Sequence, residues 1–566
     1  MGFPPISSLS FFLFLFHFHS TISSSHFCAP HQSLSLLQFK ESFSINSSAS
    51  ARCQHPKTES WKEGTDCCLW DGVTCDMKTG HVTGLDLACS MLYGTLHPNS
   101  TLFSLHHLSK APTSLTMIFN FSHISSQFGQ FSNLTLLNLN FSGFAGQVPS
   151  EIFHLSKLVS LDLSDNYIMS LEPPSLGNLT HLTSLDLSLN NLNCEIPSSL
   201  ENLVQLTDLD LSSNNLSGQI PSSLGNLTHL TSLDLSSNNL SGQIPSSLGN
   251  LTHLTSLDLS YNNLNCEIPS SLGNLVHLTS LDLSFNNLNC EISSSLGNLV
   301  QLTDLDLSSN NLSGQIPSSL GNLTHLTSLD LSFNNLNCEI SSSLENLVQL
   351  TDLDLSGNNL SGQIPSSLGN LTHLTSLYLS FNNLNCEIPS SLENLVQFTD
   401  LDLSSNISEL QHDSLRFLDL SNNHLHGPIP SSIFKHENLG GLILASNSKL
   451  TGEIPSSICK LRYLEVLDLS NNSLSGSMPL CLGNFSRMLS VLHLGMNNLQ
   501  GSIPLTFSKD NSLEYLNLNG NELEGKIPPS IINCTMLKVL DLGNNKIEDI
   551  FPLFSRKRFQ SCKFLS

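Results

Sequence analysis

The chain has 566 residues, a formal net charge of −25 and only 12% charged residues beside an ordinary 39% hydrophobic ones. A phosphate-binding face needs clustered Lys and Arg, so nucleic acid is excluded as a partner and cationic partners are favoured; the apolar content equally excludes a disordered chain. Length does not set the domain count, because from about residue 155 to about 400 the unit LTHLTSLDLSSNNLSGQIPSSLGN recurs every 24 residues, and such an array folds as one long solenoid.

In chain order, LSFFLFLF at residues 9–16 is a short apolar core followed by the small polar stretch STISSS. This predicts a cleaved signal peptide over 1–25, too short to span a bilayer. Residues 26–78 do not fit the repeat. There HQSLSLLQFKESF, apolar at Leu34, Leu37 and Phe39 to Phe43, predicts an amphipathic helix. Trp61, Trp70 and the crowded Cys28, Cys53, Cys67, Cys68, Cys75 and Cys89 predict a disulfide-stapled cap formed in an oxidising compartment. A solenoid needs such a cap, since its first repeat otherwise exposes half a core to water.

Residues 79–550 carry about twenty repeats, with 105–130 degraded and lacking the Leu-x-Leu-x-x-Asn signature. Strand leucines run Leu137/Leu139, Leu161/Leu163, Leu185/Leu187 and onward every 24 residues to Leu401/Leu403. After Asn406 the spacing shortens to Leu418/Leu420, and the last pair is Leu540/Leu542. Residues 551–566 read as an irregular basic tail without a cysteine-paired cap or a long apolar run, so the solenoid is expected to be C-terminally truncated.

Within one repeat, LTSLDLSSNNL alternates leucine with polar residues, the pattern of a strand with one buried face. Asn at 166, 190, 214, 238, 262, 286, 310, 334, 358 and 382 follows the second leucine by three residues, where its amide reaches the backbone of the turn and stacks into a ladder. Gly-x-Ile-Pro then bends the chain and SSLGNL returns it, leaving parallel strands about 5 Å apart on a concave face.

The pattern LxxLxxLxLxxNxLxGxIPxxLGx, joined to WKEGTDCCLWDGVTCD, resembles the plant extracellular leucine-rich-repeat family, and most of all its disease-resistance receptor-like proteins, which have no kinase. The resemblance covers about residues 28–550. It implies an α/β leucine-rich-repeat solenoid, a curved superhelical array with parallel strands on the concave face and a disulfide-stapled helical cap. In that cap it implies the pairs Cys28–Cys67 and Cys68–Cys75, with Cys53 and Cys89 unassigned. It further implies an extracellular module that recognises a protein or peptide ligand, with a co-receptor or adaptor kinase as partner if the protein is membrane-anchored. The location expected is the secretory pathway, then the plasma membrane facing the apoplast if the full-length product has a membrane helix, otherwise secretion. About eighteen Asn-x-Ser/Thr sequons, among them Asn46, Asn99, Asn133, Asn226, Asn250, Asn322, Asn370 and Asn484, agree with that route.

Comparing the near-identical repeats shows where they differ. The residue before the ladder Asn is Leu189, Ser213, Ser237, Tyr261, Phe285, Ser309, Phe333, Gly357 and Phe381 in turn, so Tyr261, Phe285, Phe333 and Phe381 are candidate ligand contacts on an exposed strand surface; the plainer reading is that the rings only stack on neighbouring repeats. A column of carboxylates, including Asp258, Asp282, Asp306 and Asp330 and joined by Asp208, Asp304, Asp352 and Asp400, is expected to raise its own pKa values by repulsion and attract basic ligands, or else simply to be a solvated face. Cys194, Cys266, Cys290, Cys338 and Cys386 replace a glycine and read as small packed thiols, with Cys266 and Cys290 near enough in sequence register to bridge. His229, His253, His277, His325 and His373 recur in phase but without partners at ligand spacing, so neither metal nor cofactor is expected. No nucleophile, metal or phosphate motif of an enzyme is present. Besides a receptor, the pattern admits a soluble secreted inhibitor of a microbial cell-wall-degrading enzyme, or a decaying gene with recently duplicated repeats.

Overall fold

A computed structural model describes residues 28–46, 55–111, 119, 121–171, 176–395, 415–484, 487–548 and 563–565. The chain forms two compact units, residues 1–216 and 217–566.

In the first unit, Pro30 starts the α-helix Pro30–Glu41, where its missing N–H costs nothing. The buried stripe is Gln32, Leu36 and Phe39, at helical spacings of four and three. Leu34, expected on the apolar face, is exposed, because at 3.6 residues per turn it falls on the side of the helix opposite that stripe. Gln32 is buried for a reason: its Oε1 accepts the N–H of Val82 at 2.9 Å, tying the helix to the first repeat strand. Cys28 is bonded to Cys67 and Cys68 to Cys75, and Cys89 is also disulfide-bonded. Trp61 and Trp70 are buried and stacked, ring centres 5.7 Å apart, with the indole N–H groups donated to the Asp71 carbonyl and the Thr65 hydroxyl. Strand Val73–Cys75 runs antiparallel to Val82–Leu85, which opens the parallel sheet. Even the degraded stretch contributes a strand, Lys110–Ala111, between Val82–Leu85 and Leu136–Asn138. The sheet continues through Ser160–Asp162 and Ser184–Asp186 to Asp208–Asp210.

In the second unit the strands stack leucine on leucine, Leu233 on Leu257, Leu257 on Leu281 and Leu281 on Leu305. Ser376–Tyr378 pairs directly with Phe417–Asp419, so the sheet passes over one expected strand; Leu401 and Leu403 lie outside the described residues. The last pairings join Tyr515–Asn517 to Val539–Asp541 and the latter to Lys563–Leu565, a strand inside the stretch read as a tail. The return segments are five-residue 3-10 turns such as Ser246–Asn250, closed by the Leu251 N–H on the Leu248 carbonyl at 3.1 Å. Close stacking of these turns explains their glycine: a Cβ on Gly249 would lie 2.4 Å from the Ser271 carbonyl oxygen.

The ladder asparagines do the work of a second backbone. Buried Asn286 donates to the carbonyls of Leu259, Leu283 and Ser284 at 2.9, 3.3 and 3.1 Å and accepts the Leu264 N–H at 2.9 Å. It thereby satisfies turn groups in its own repeat and the preceding one. A second parallel sheet, Asn239–Gln243, Asn263–Cys266, Asn287–Glu291, Asn311–Gly314 and Asn335–Leu336, follows the ladder on the flank. The sequence reading gave this segment only as a bend.

Candidate recognition surface

Tyr261, Phe285, Phe333 and Phe381 stand just beyond the strands, in the turn before the ladder Asn, and not on the strands themselves. Their φ angles are 52°, 50°, 50° and 52°, the left-handed region that side chains rarely occupy. The conformation is held because each N–H finds a carbonyl of the next repeat, Ser284 for Tyr261, Ser308 for Phe285, Ser356 for Phe333 and Ser421 for Phe381. The four rings remain 45% to 63% exposed. Tyr261 and Phe285 stack with centres 4.2 Å apart, so neighbour stacking and exposure coexist. The Phe333 ring leans over Gly357, where a Cβ would fall 2.9 Å from a ring carbon and the ring would have to shift, as it does where Tyr261 meets Phe285 face to face.

The carboxylate column is neither simply solvated nor governed by repulsion. Asp258, Asp282, Asp306 and Asp330 each use Oδ1 to accept the N–H of the serine two residues on, at 2.8–2.9 Å, which closes the turn after the strand. All four are half-buried. Burial pushes the carboxyls of Asp282, Asp306 and Asp330 above their ordinary range, the serine hydrogen bonds oppose it, and the neighbouring aspartates add to it as a smaller effect. Asp304 and Asp352 are exposed, each taking a hydroxyl hydrogen bond at 2.8 Å from the preceding threonine. With Ser280, Asp282, Asp306, Ser328 and Asp330, Asp304 lines a hollow of about 260 Å³. Ion pairs of the second unit include Lys435–Glu393, His493–Asp468, Lys538–Glu514 and Lys546–Glu522, and none of these involves Asp282, Asp304, Asp306 or Asp330.

The thiols do not pack as expected. Cys266 and Cys290 are exposed and free, at φ 69° and 76°, because they keep the left-handed backbone that sibling glycines such as Gly242 and Gly314 adopt. Cys194 and Cys338 are half-buried, and only Cys386 among the five is buried, its sulfur accepting the Ile364 N–H. On this flank a groove of about 1250 Å³, lined by Glu267, Glu291, Glu339, Cys290 and Cys338, was not foreseen from sequence. His253, His325 and His373 donate Nδ1–H to the carbonyls of Thr228, Val300 and Val348, and His229 stacks beside His253. The group at metal-ligand spacing among the described residues is Cys28, Cys67 and Cys68, whose sulfurs are already in disulfides. Sequence reasoning also missed the pair Cys459–Cys481, whose signal was a cysteine in each of two successive return turns. Asn99, Asn133, Asn226, Asn250, Asn322, Asn370 and Asn484 are exposed and Asn46 is half-buried; Asn226, Asn250, Asn322 and Asn370 each end a return turn.

Family comparisons agree with this architecture. The leucine rich repeat N-terminal domain matches residues 29–76, the leucine-rich repeat region 185–338, and leucine rich repeat families 132–192, 349–371, 373–395, 414–436, 463–485 and 511–555. The plant peptide hormone receptor RGFR1, solved in complex with RGF2, is 32% identical, with a TM-score of 0.72 over 88% of this chain and 82% of that one. The chain belongs to the plant extracellular leucine-rich-repeat family. Receptor-like protein 9DC1 of Solanum pimpinellifolium is 40% identical over 165 residues, 28% of this chain and 19% of the relative, so the match spans about a fifth of that relative's length. The Arabidopsis receptor kinase HAESA, solved with the peptide hormone IDA and the co-receptor SERK1, is 30% identical with a TM-score of 0.62 over 95% of this chain and 97% of that one. Among the described residues, no helix of this family member is long and apolar enough to cross a membrane.

Proposed function

We propose that this chain is the ligand-recognition module of a plant receptor-like protein, working in defence or cell-surface signalling at the apoplastic side of the cell, and that it binds an extended peptide or protein segment along its strand side. The observation that carries this is the column of half-exposed rings, Tyr261, Phe285, Phe333 and Phe381, at the position where otherwise near-identical repeats differ. Rings held by a fixed backbone offer large contact area at small entropic cost, which binding hot spots use. Solved relatives are complexes with peptide hormones, and one includes a co-receptor, which supports an adaptor kinase as the signalling partner. The reading assigns no catalysis: aspartates such as Asp306 close turns, histidines such as His325 bond a carbonyl of the preceding repeat, and the hollow that the aspartates line holds no nucleophile–base pair.

To test it, random twelve-residue peptides are selected on the secreted chain and their affinities measured again on the Y261S/F285S/F333S/F381S variant. Serine already occupies the same left-handed position at Ser309, so the fold is expected to survive. Affinity is expected to fall about tenfold or more; unchanged affinity would remove the reading.

A further inference from the structure

The strand side carries a period twice that of the repeat. Rings stand at Phe285, Phe333 and Phe381, separated by small residues at Ser309 and Gly357. In the two ring-free repeats the strand presents two carboxylates, Asp304 with Asp306 and Asp352 with Asp354, whereas the ring-bearing repeats have Ser280, Ser328 and Ser376 at the first of these positions. All five strands pair in continuous register, so the ring column in the turns and the carboxylate column on the strands run side by side, rings and carboxylate pairs alternating from repeat to repeat. Adjacent strands lie about 4.8 Å apart, which separates successive rings by about 9.6 Å.

A bound chain that meets every ring in the same way must repeat at that distance. An extended strand repeats its side-chain direction every two residues, about 6.7 Å, and an α-helix turns every 5.4 Å or so; neither matches. A polyproline II helix has three residues per turn and rises about 3.1 Å per residue, a pitch of about 9.3 Å. Proline rings pack on aromatic faces, the recognition mode used by grooves that read such helices. Between the rings, the unneutralised carboxylates call for one basic side chain per turn.

We propose that residues 280–381 bind a basic, proline-rich segment in the polyproline II conformation, one turn for every two repeats, with prolines against Phe285, Phe333 and Phe381 and a Lys or Arg per turn over Asp304/Asp306 and Asp352/Asp354. This rests on the strand-side reading above and specifies its ligand. Small Ser309 then leaves room for a basic side chain to pass, whereas at Gly357 the Phe333 ring leans over the backbone and the basic side chain must run beside it; the mismatch of about 0.3 Å per turn stays small over the two turns that three rings span.

The test uses the full secreted chain and three synthetic probes: a peptide of four Pro-Pro-Lys triplets, a Gly-Ser-Lys peptide of equal length and charge, and a linear β-linked glucan oligosaccharide. The Pro-Pro-Lys peptide is expected to bind about tenfold tighter than Gly-Ser-Lys, since only the former is pre-ordered and apolar toward the rings. S309F/F333S keeps the number of rings but shifts one by a repeat; it is expected to abolish that preference while melting normally, and D304N/D352N to weaken both peptides and flatten their salt dependence. Equal affinity for the two peptides, or indifference to the shifted ring, overturns the proposal. So does preferential binding of the oligosaccharide, which would make the same rings a glycan platform. If library-selected peptides lacking a three-residue proline period still lose affinity on Y261S/F285S/F333S/F381S, only the ligand class is wrong; if no selected peptide responds to those four changes, the strand-side reading falls with it.

Discussion

A half-buried carboxylate that serves a turn carries a cost that pH can reveal. Asp306 and Asp330 titrate above the ordinary carboxylate value because burial disfavours the charge. A raised folded-state pKa means the penalty is absent below the unfolded value of about 3.9 and fully present at neutral pH. Asparagine performs the same turn at Asn138 and Asn517, whose Oδ1 atoms accept the N–H of Asn140 and Asn519. D306N/D330N is therefore expected to raise the melting temperature at pH 7 and to leave it unchanged near pH 3.5. His436 shows the opposite sign. Burial holds its imidazole below the ordinary value, against the Leu392 carbonyl and Glu393; Nε2 donates to that carbonyl at 2.9 Å and Nδ1 has no partner. Its stabilisation is full above the unfolded value of about 6.5 and is lost as pH falls below it. Leucine fills the equivalent place at Leu395 and Leu461, so H436L is expected to gain more in melting temperature at pH 5 than at pH 7.5.

At the scale of the element, one repeat is marginal until the next covers it, and the ladder asparagine is where that dependence concentrates. N286A strips four hydrogen bonds and leaves buried carbonyls and the Leu264 N–H unpaired. The expected cost is about 2–4 kcal/mol, read from urea unfolding, with flanking repeats frayed in hydrogen exchange. A neutral result would mean that solvent reaches those groups. The Cys459–Cys481 bridge joins two successive return turns. Its loss in C459S/C481S is expected to destabilise the chain by about 3 kcal/mol, against a reduced wild type that matches the variant.

On the scale of the whole chain, solubility has to come from more than its few charges. The exposed sequons at Asn226, Asn250, Asn322 and Asn370 lie on return turns, while the rings and carboxylates lie on the strand side. Glycans there would leave the recognition line open. The variant N226Q/N250Q/N322Q/N370Q, expressed through a secretory route, is therefore expected to have lower mass and solubility than the parent chain with unchanged peptide affinity; a change in affinity would place sugar from these turns at the binding surface.

How much of this was legible in advance follows from where each residue finds its partner. Leu233, Leu257 and Leu281 pack on copies of themselves one period away, so the sequence period alone specifies strand, register and core. Asn286 was legible for the same reason. Leu34 and Leu37 were read as apolar-face positions and Leu36 was passed over, yet Leu36 is the buried one, because the buried face depends on where the helix meets the first repeat. Tyr261 and Phe333 were recognised as variable, yet their left-handed backbone and the hold of the next repeat's carbonyls are set across the stack. The flank sheet, the exposure of Cys266 and Cys290 and the direct pairing of Ser376–Tyr378 with Phe417–Asp419 were decided likewise by tertiary structure. A repeating sequence states what each unit does to its own copy; only the folded stack determines what it does where neighbouring units differ.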